Sequence, residues 1–315
     1  MRKSSRIYVA GHTGLLGRAL LSVLGERGYT EVITRTHAEL DLTDGLAVDG
    51  FFKRERPEYV FLSAGLTGGI VANLTYPAAF LHTNIAIQDS VFQAAQKYNA
   101  ERVVFYGSSC MYPRDCPQPM KEEHMLTGAM EKTSEAYAIA KTVGVIACRA
   151  YNAQYKTKRF LALVPNSLYG PYDNFELETS HVLAGLIRRL YEAHIEGRER
   201  IALWGSGMPR REFLFSKDAA EASIFAMENA DRLENTHYNI GSGADYSIKE
   251  LAEMAAWGIG YAGAIEWDRT RPDGAERKIL DSARFLSLGW RPKVNLEEGL
   301  KITCDWFVKN KVKMI

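Results

Sequence analysis

The chain has 315 residues, of which 46% are hydrophobic and 24% charged, and its formal net charge is +1. This balance is typical of a globular protein that buries a core without disulfides or a structural metal. A charge so close to neutral excludes a global field that would attract nucleic acid or an anionic membrane, and we predict neither as a partner.

The sequence patterns also indicate where the protein works. No apolar run is long enough to cross a bilayer, and the N-terminal residues lead straight into a strand-like segment, so we expect no signal peptide. The four cysteines, Cys110, Cys116, Cys148 and Cys304, form no CxxC pair. We therefore expect a cytoplasmic protein with reduced thiols and no metal site.

The first half of the chain alternates strand-like and helix-like segments. Apolar spacing predicts strands at 6–10, 31–34, 59–64, 102–106 and 160–164, and helices at 15–27, 46–54, 83–98 and 136–154. This rhythm predicts an α/β fold of the Rossmann type, in which a doubly wound parallel sheet carries helices on both faces.

The pattern changes after about residue 170, where glycine, proline and aromatic residues become common in loops. Helical spacing persists at 181–194, 218–228, 247–258 and 296–310, and one more strand is predicted at 237–240. We predict a dinucleotide-binding domain over residues 1–170, to which the chain returns at about 211–241. Residues 171–210 and 242–315 would form a smaller C-terminal substrate-binding lobe at the carboxyl ends of the strands.

A glycine-rich turn joins the first strand to the first helix, with Gly11, Gly14 and Gly17 in GxxGxxG spacing. Glycine is required where the chain turns tightly and where backbone approaches a pyrophosphate, and the helix N-terminus favours an anion. The alternative is a tight structural turn alone. We predict a dinucleotide site that comprises Gly11, Thr13, Gly14, Leu15, Leu16 and Gly17.

The residues after the second strand bear on the choice between NAD and NADP. They read Thr34-Arg35-Thr36-His37, with no carboxylate before Glu39. An acidic residue would bind ribose hydroxyls, whereas arginine pairs with a 2′-phosphate. Arg35 therefore favours NADP(H), with His37 in support, unless it is only a solvated loop charge.

Tyr137 and Lys141 form a YxxxK motif in a helical stretch, so their side chains are neighbours on one helix face. A tyrosine hydroxyl can protonate a carbonyl oxygen as hydride arrives, and an ammonium stabilises the phenolate that remains. Ser108 lies directly after the fourth strand. Together with the glycine turn, these residues indicate a reductase rather than an ordinary helix surface.

These motifs resemble the extended short-chain dehydrogenase/reductases along essentially the whole chain, and within them the GDP-L-fucose synthases. The matching segments are GGIVANLTYPAAF (68–80), GSSCMYP (107–113), YAIAK (137–141), LYGPYDNF (168–175), SHV (180–182), WGSGMPRREF (204–213) and RPDGAERKILD (271–281). The resemblance implies epimerisation at C3 and C5 of GDP-4-keto-6-deoxy-D-mannose, followed by reduction at C4 with NADPH.

The resemblance also implies residue roles. The reductive triad would be Ser108, Tyr137 and Lys141. The acid/base pair for epimerisation would be Cys110 and His181. The GDP-linked keto-deoxy sugar would be held by Asn73, Arg189, Trp204, Arg211, Asp273 and Lys278. NADP(H) would contact the glycine turn, Arg35, Lys141, Pro165, Asn166, Leu168 and His181. The superfamily's four-helix interface further implies a homodimer through the helices predicted at 83–98 and 136–154.

The chemistry of the residues agrees with these roles, although each residue has a plainer explanation. A C4 ketone acidifies the protons on C3 and C5, and a thiol and an imidazole can exchange such protons near neutral pH. Arg211 can clamp a diphosphate through two N–H bonds. Otherwise Cys110 would be a small buried residue, His181 a polar residue at a helix start, and Trp204 part of the core.

Some positions depart from the family pattern and leave alternatives open. Thr13 and His37 stand where family members often carry basic residues, so NAD use stays open. AGLTGG (64–69) and PNSLYG (165–170) also differ, so the sugar could belong to a GDP-colitose or GDP-keto-heptose pathway. A nucleotide-sugar 4-epimerase, a 4,6-dehydratase and a non-catalytic dinucleotide sensor are further alternatives. Cys110 in place of an acidic pair disfavours the dehydratase, and the complete triad disfavours the sensor.

Overall fold

The computed structural model describes residues 1–271 and 273–310. Its strands are β1 (Ile7–Ala10), β2 (Val32–Ile33), β3 (Tyr59–Leu62), β4 (Arg102–Tyr106), β5 (Phe160–Pro165), β6 (Ser167–Tyr169), β7 (Arg200–Trp204), β8 (Arg210–Phe215), β9 (His237–Ile240), β10 (Asp245–Ser247), β11 (Ala264–Asp268) and β12 (Arg277–Lys278). Its helices are α1 (Leu15–Glu26), α2 (Gly45–Glu55), α3 (Ile70–Thr75), α4 (Pro77–Lys97), α5 (Glu135–Tyr155), α6 (Val182–Ile195), α7 (Ser216–Glu228), α8 (Ile248–Ile259), α9 (Ala283–Ser287) and α10 (Leu296–Asn310).

Six parallel strands form the central sheet in the order β2-β1-β3-β4-β5-β9. Strands β1, β3 and β5 are buried along their whole length because helices cover both faces of the sheet. Helices α2, α4 and α5 pack over one face, and α1 and α7 over the other. The predicted Rossmann-type α/β fold is confirmed.

Element boundaries differ from the predictions at a few points. Helix α4 begins at Pro77, six residues before the predicted start, because proline fits the first helical turn, where its missing N–H costs no hydrogen bond. Strand β2 has two residues instead of the predicted four. The short strands β6, β7, β10, β11 and β12 were not predicted as such.

A second group of strands and helices lies beside the central sheet. Strand β8 pairs with β6 and β12 in parallel and with β10 in antiparallel orientation, while β7 pairs with β11. Helices α6, α8 and α10 share a third apolar core with these strands. The returning segment therefore contributes β9 to the central sheet, whereas its β8 pairs with the lobe. The predicted domain boundaries stay a prediction.

The carboxyl ends of β1, β3, β4 and β5 meet at one edge of the central sheet, as parallel strands require. A cavity of about 1640 Å³ lies between this edge and the smaller lobe. Within the described residues, no helix combines the length and apolar character that a membrane span requires. In residues 1–271 and 273–310, no cluster of three or more histidine, cysteine or acidic side chains could hold a metal ion.

Candidate active site

The glycine turn after β1 is closely packed and lines the cavity. Gly11 has φ +81°, and a Cβ there would lie 2.5 Å from the backbone nitrogen of Ala64. A Cβ on Gly17 would overlap the carbonyl oxygen of Gly11, so the helix could not approach the strand. Gly14 caps α1 without a side-chain acceptor. The N–H groups of the first helical turn are therefore available for an anion, as a pyrophosphate requires.

Arg35 follows β2 and lines the cavity. Its guanidinium donates to the carbonyl oxygen of Thr34 at 2.7 Å and forms an ion pair with Glu55 at 2.7 Å. The guanidinium carbon lies 5.4 Å from the centre of the Phe51 ring. His37 also borders the cavity, but its side chain is 84% exposed. Arg35 is thus held by closer contacts than His37.

Tyr137 and Lys141 extend from the first two turns of α5 into the cavity. The Lys141 ammonium lies 5.8 Å from the centre of the Tyr137 ring. Burial raises the pKa of Tyr137 above its ordinary value of 10.0, the charge of Cys110 raises it further, and the Ser108 hydroxyl lowers it. Burial lowers the pKa of Lys141 to about 8. The phenol is therefore protonated at neutral pH, and the ammonium beside it is still charged.

Ser108 and Cys110 follow β4 in a tight turn. The Ser108 hydroxyl accepts from the backbone N–H of Cys110 at 3.3 Å. This hydrogen bond fixes the backbone that carries the thiol, two residues beyond the serine. The charge of Cys110 acts on the pKa of both Tyr137 and Arg211, so the thiol lies near both groups.

His181 lies at the N-cap of α6 and lines the same cavity. Its ring is open to the cavity, but the surrounding protein removes enough water to lower its pKa below the ordinary value of 6.5. The imidazole is therefore neutral at physiological pH and can accept a proton. The structure brings all five predicted catalytic side chains to one cavity: Ser108, Cys110, Tyr137, Lys141 and His181.

The predicted sugar-nucleotide residues line the other part of the cavity: Asn73, Arg189, Trp204, Arg211, Asp273 and Lys278. Arg211 is half-buried, and burial lowers its pKa while the charges of Cys110 and Asp273 raise it. Its side chain donates to the backbone oxygen of Arg210 at 2.7 Å. Trp204 is 59% exposed, so it is not a core residue, and the guanidinium carbon of Arg271 lies 5.0 Å from the centre of its ring.

Asn73 and Asp273 have structural roles as well. The amide of Asn73 donates to the carbonyl oxygens of Gly68 and Gly69 at 2.9 and 3.0 Å, which closes the turn before α3. Its buried Oδ1 has no partner within residues 1–271 and 273–310 and can accept from a ligand. The carboxylate of Asp273 accepts from the N–H and hydroxyl of Ser206 at 2.9 and 2.6 Å. Asp273 therefore holds the loop after β7 in place.

Pro165, the last residue of β5, lines the cavity together with Asn166 and Leu168. The Asn166 amide donates to the buried carboxylate of Glu212 at 2.6 Å. This side chain thus points into the protein and links β5 to β8. Any cofactor contact by Asn166 would have to come from its backbone.

Asp173 is a cavity residue that the sequence reasoning did not select. Burial raises its pKa to about 7, and the backbone before it is unusual, because Tyr172 has φ +69°. In the sequence, Asp173 stands within the LYGPYDNF segment (168–175) and has no predicted role of its own. The one local signal was an acidic residue shortly after a Gly-Pro turn, and nothing in its spacing indicated burial.

Residues 7–241 match the NAD dependent epimerase/dehydratase family. The chain belongs to this family. It is 47% identical to GDP-L-fucose synthase 1 of Arabidopsis thaliana, over 98% of this chain and 94% of that protein. It is 44% identical to GDP-L-fucose synthase of Escherichia coli K12, over 97% of each chain. Among solved structures, MlghC, the GDP-mannoheptose C4 reductase from Campylobacter jejuni with NADP bound, has a TM-score of 0.90 at 37% identity, covering 98% of this chain and 99% of that one.

Proposed function

We propose that this chain is an NADPH-dependent epimerase and reductase of a GDP-4-keto-6-deoxy-hexose. The preferred reaction is epimerisation of GDP-4-keto-6-deoxy-D-mannose at C3 and C5, followed by reduction at C4 to GDP-L-fucose. One observation carries the proposal: a thiol, an imidazole and a tyrosine–lysine pair line a single cavity that also contains the glycine turn. The similarity to GDP-L-fucose synthases supports it.

The reduction step follows from the states of Tyr137 and Lys141. NADPH, when bound, supplies the hydride that reaches C4. The Tyr137 hydroxyl gives its proton to the C4 oxygen, and the Lys141 ammonium stabilises the phenolate that is left. Ser108 donates a hydrogen bond to the same oxygen and holds the ketone in line with Tyr137.

Epimerisation uses the same ketone before it is reduced. Removing the proton from C3 or C5 places negative charge on the C4 oxygen, where Ser108 and Tyr137 stabilise it by hydrogen bonds. One member of the Cys110–His181 pair removes the proton, and the other returns a proton to the opposite face of the carbon. The neutral state of His181 suits it to the role of base.

NADP(H) is the proposed cofactor, with Arg35 as the partner of the 2′-phosphate. The guanidinium lines the same cavity as the glycine turn, and this turn would hold the pyrophosphate. The related GDP-mannoheptose reductase contains bound NADP, which supports the same choice here.

Incubation with GDP-4-keto-6-deoxymannose and NADPH in deuterated water tests the proposal. We expect NADPH oxidation and a GDP-fucose product that carries deuterium at C3 and C5. Cys110→Ser should reduce deuterium incorporation more than it reduces hydride transfer. Cys116→Ser is the matched control, because this thiol lines the same cavity but has no assigned role. Equal loss of both activities in Cys110→Ser would contradict the division of roles.

A second candidate is reduction of a related GDP-keto sugar, and it is favoured by the similarity to a GDP-mannoheptose C4 reductase. Faster NADPH oxidation with a GDP-keto-heptose than with the deoxymannose would select this candidate. Conversion of a GDP-sugar at C4 without net consumption of NADPH would instead select a 4-epimerase.

We also propose a homodimer. Ile139, Val143 and Ile146 form an apolar stripe on α5, and their side chains are 41%, 38% and 39% exposed. A second copy of the chain would cover this stripe through α4 and α5. Light scattering at micromolar concentration should give twice the chain mass, and a monomer would contradict the proposal.

A further inference from the structure

Glu55 is the last residue of α2, a position where negative charge is unfavourable. The C-terminus of a helix carries partial negative charge, so an acidic residue there is destabilising. The carboxylate is offset by two arginines that approach its two oxygens separately. Arg35 lies 2.7 Å from Oε1, and Arg6 lies 2.8 Å from Oε2.

The Arg35 guanidinium is held on three sides. Glu55 accepts from one terminal nitrogen, the carbonyl oxygen of Thr34 accepts from the other, and the Phe51 ring lies against it. Phe51 is itself buried in the core and therefore fixed. A guanidinium has five N–H groups, so up to three remain for a ligand. Such fixing matters because a free arginine side chain loses rotamer entropy when it binds a ligand.

The charges of the cluster leave it attractive to an anion. Arg6, Glu55 and Arg35 together carry a net charge of +1, and each carboxylate oxygen of Glu55 already has a cationic partner. The Glu55 charge is thus balanced within the protein. Arg35, which lines the cavity, is the member of the cluster that meets a phosphate.

We propose that Glu55 is a positioning residue that orients Arg35 toward the 2′-phosphate of NADP(H) and so sets the preference over NAD(H). This inference rests on the proposed cofactor role of Arg35. Glu55 acts through Arg35 and is not a catalytic residue. Because NAD(H) lacks the 2′-phosphate, the effect is confined to NADP(H).

Equilibrium titration of the full-length protein with NADPH and with NADH, without sugar, tests this inference. Glu55→Ala should raise the Kd for NADPH about three- to tenfold, the range for losing a partly exposed ion pair and the order it imposes. The Kd for NADH should stay within about twofold of the wild-type value. Glu55→Gln keeps an oxygen that can accept from Arg35, so it should retain most of the NADPH affinity. In an Arg35→Ala background, Glu55→Ala should have no further effect.

Glu26→Ala is the matched control, because Glu26 is likewise the last residue of its helix, α1, and pairs with Lys217, and neither residue lines the cavity. It should leave both dissociation constants unchanged. Unchanged or tighter NADPH binding in Glu55→Ala would overturn the inference, as would an equal loss of NADH affinity. A wild-type protein without a preference for NADPH would contradict the cofactor proposal itself. A wild-type protein that prefers NADPH but does not reduce the GDP-keto sugar would contradict the reaction alone and leave the Glu55 test valid.

Discussion

Replacing Lys141 by methionine should make the ligand-free protein more stable and the enzyme nearly inactive. Lys141 is 6% exposed, and its ammonium lies 5.1 Å from the centre of the Phe105 ring. Burial lowers the pKa of Lys141, and within the described residues no acidic side chain raises this pKa again. Methionine fills a similar volume without a charge to desolvate.

The size of the effect follows from the pKa of Lys141, which burial lowers from 10.5 to about 8. At about 1.36 kcal/mol for each tenfold change in the ionisation constant, the buried ammonium costs roughly 3 kcal/mol. The sign follows from linkage: the unfolded chain binds this proton more tightly than the folded one does. The full cost applies below about pH 8, decreases as the pH rises toward 10.5, and is absent above that value.

Urea unfolding of ligand-free protein at pH 7 and at pH 10 would measure this difference. Lys141→Met should raise the free energy of unfolding by up to roughly 3 kcal/mol at pH 7 and by much less at pH 10. Its rate of NADPH oxidation should fall about 10²–10⁴-fold, the usual contribution of positioned acid–base groups. Lys249→Met, on the exposed surface of α8, should change neither quantity. A Lys141→Met variant less stable than wild type at pH 7 would refute the reasoning.

Three further changes test other parts of the site. Gly17→Ala should weaken NADPH binding more than tenfold in a titration, because the added Cβ overlaps the Gly11 carbonyl oxygen. A Cβ added at Gly25 meets open space, so Gly25→Ala should bind NADPH normally. Glu212→Ala should lower the free energy of unfolding in urea by at least about 3 kcal/mol. The buried carboxylate of Glu212 accepts from three groups, and each donor costs about 1–3 kcal/mol when it is left unpaired. A loss below about 1 kcal/mol would contradict this prediction. The pKa of Asp173 is near 7, so NADPH binding should weaken between pH 6 and 7.5 as the carboxylate ionises. Asp173→Asn should remove this pH dependence. If NADPH affinity depends on pH in the variant as it does in wild type, Asp173 does not face the ligand.

The parts of the fold that were predicted correctly depend on local patterns. The β1–α1 turn needs glycine for steric reasons within seven residues, and strands such as β4 are continuous apolar runs. Strands β7 and β11 carry no such signal, because β7 alternates exposed and buried residues over only five positions and its partner lies about 60 residues away. Strand β12 has two residues, which is too short for any periodicity.

The candidate site divides in the same way. YxxxK and the glycine turn could be derived from spacing and chemistry, whereas Asp273 and Lys278 were placed mainly by resemblance. The raised pKa of Asp173 depends on enclosure by segments distant in sequence. Glu55 lies one residue beyond the helix predicted at 46–54, and its partner Arg35 comes from the preceding loop, so their ion pair could not be derived before the fold.

The net charge of +1 gives no indication of how the site binds anions. Burial lowers the pKa of both Lys141 and Arg211, so in the ligand-free protein the fold keeps these cations partly desolvated at a cost. A bound GDP diphosphate or NADPH supplies the missing negative charge, and by linkage it must raise the pKa of each nearby cation. The ligand therefore stabilises the charged form of Lys141 that the reduction needs, so binding and catalytic competence are coupled through the same buried charge.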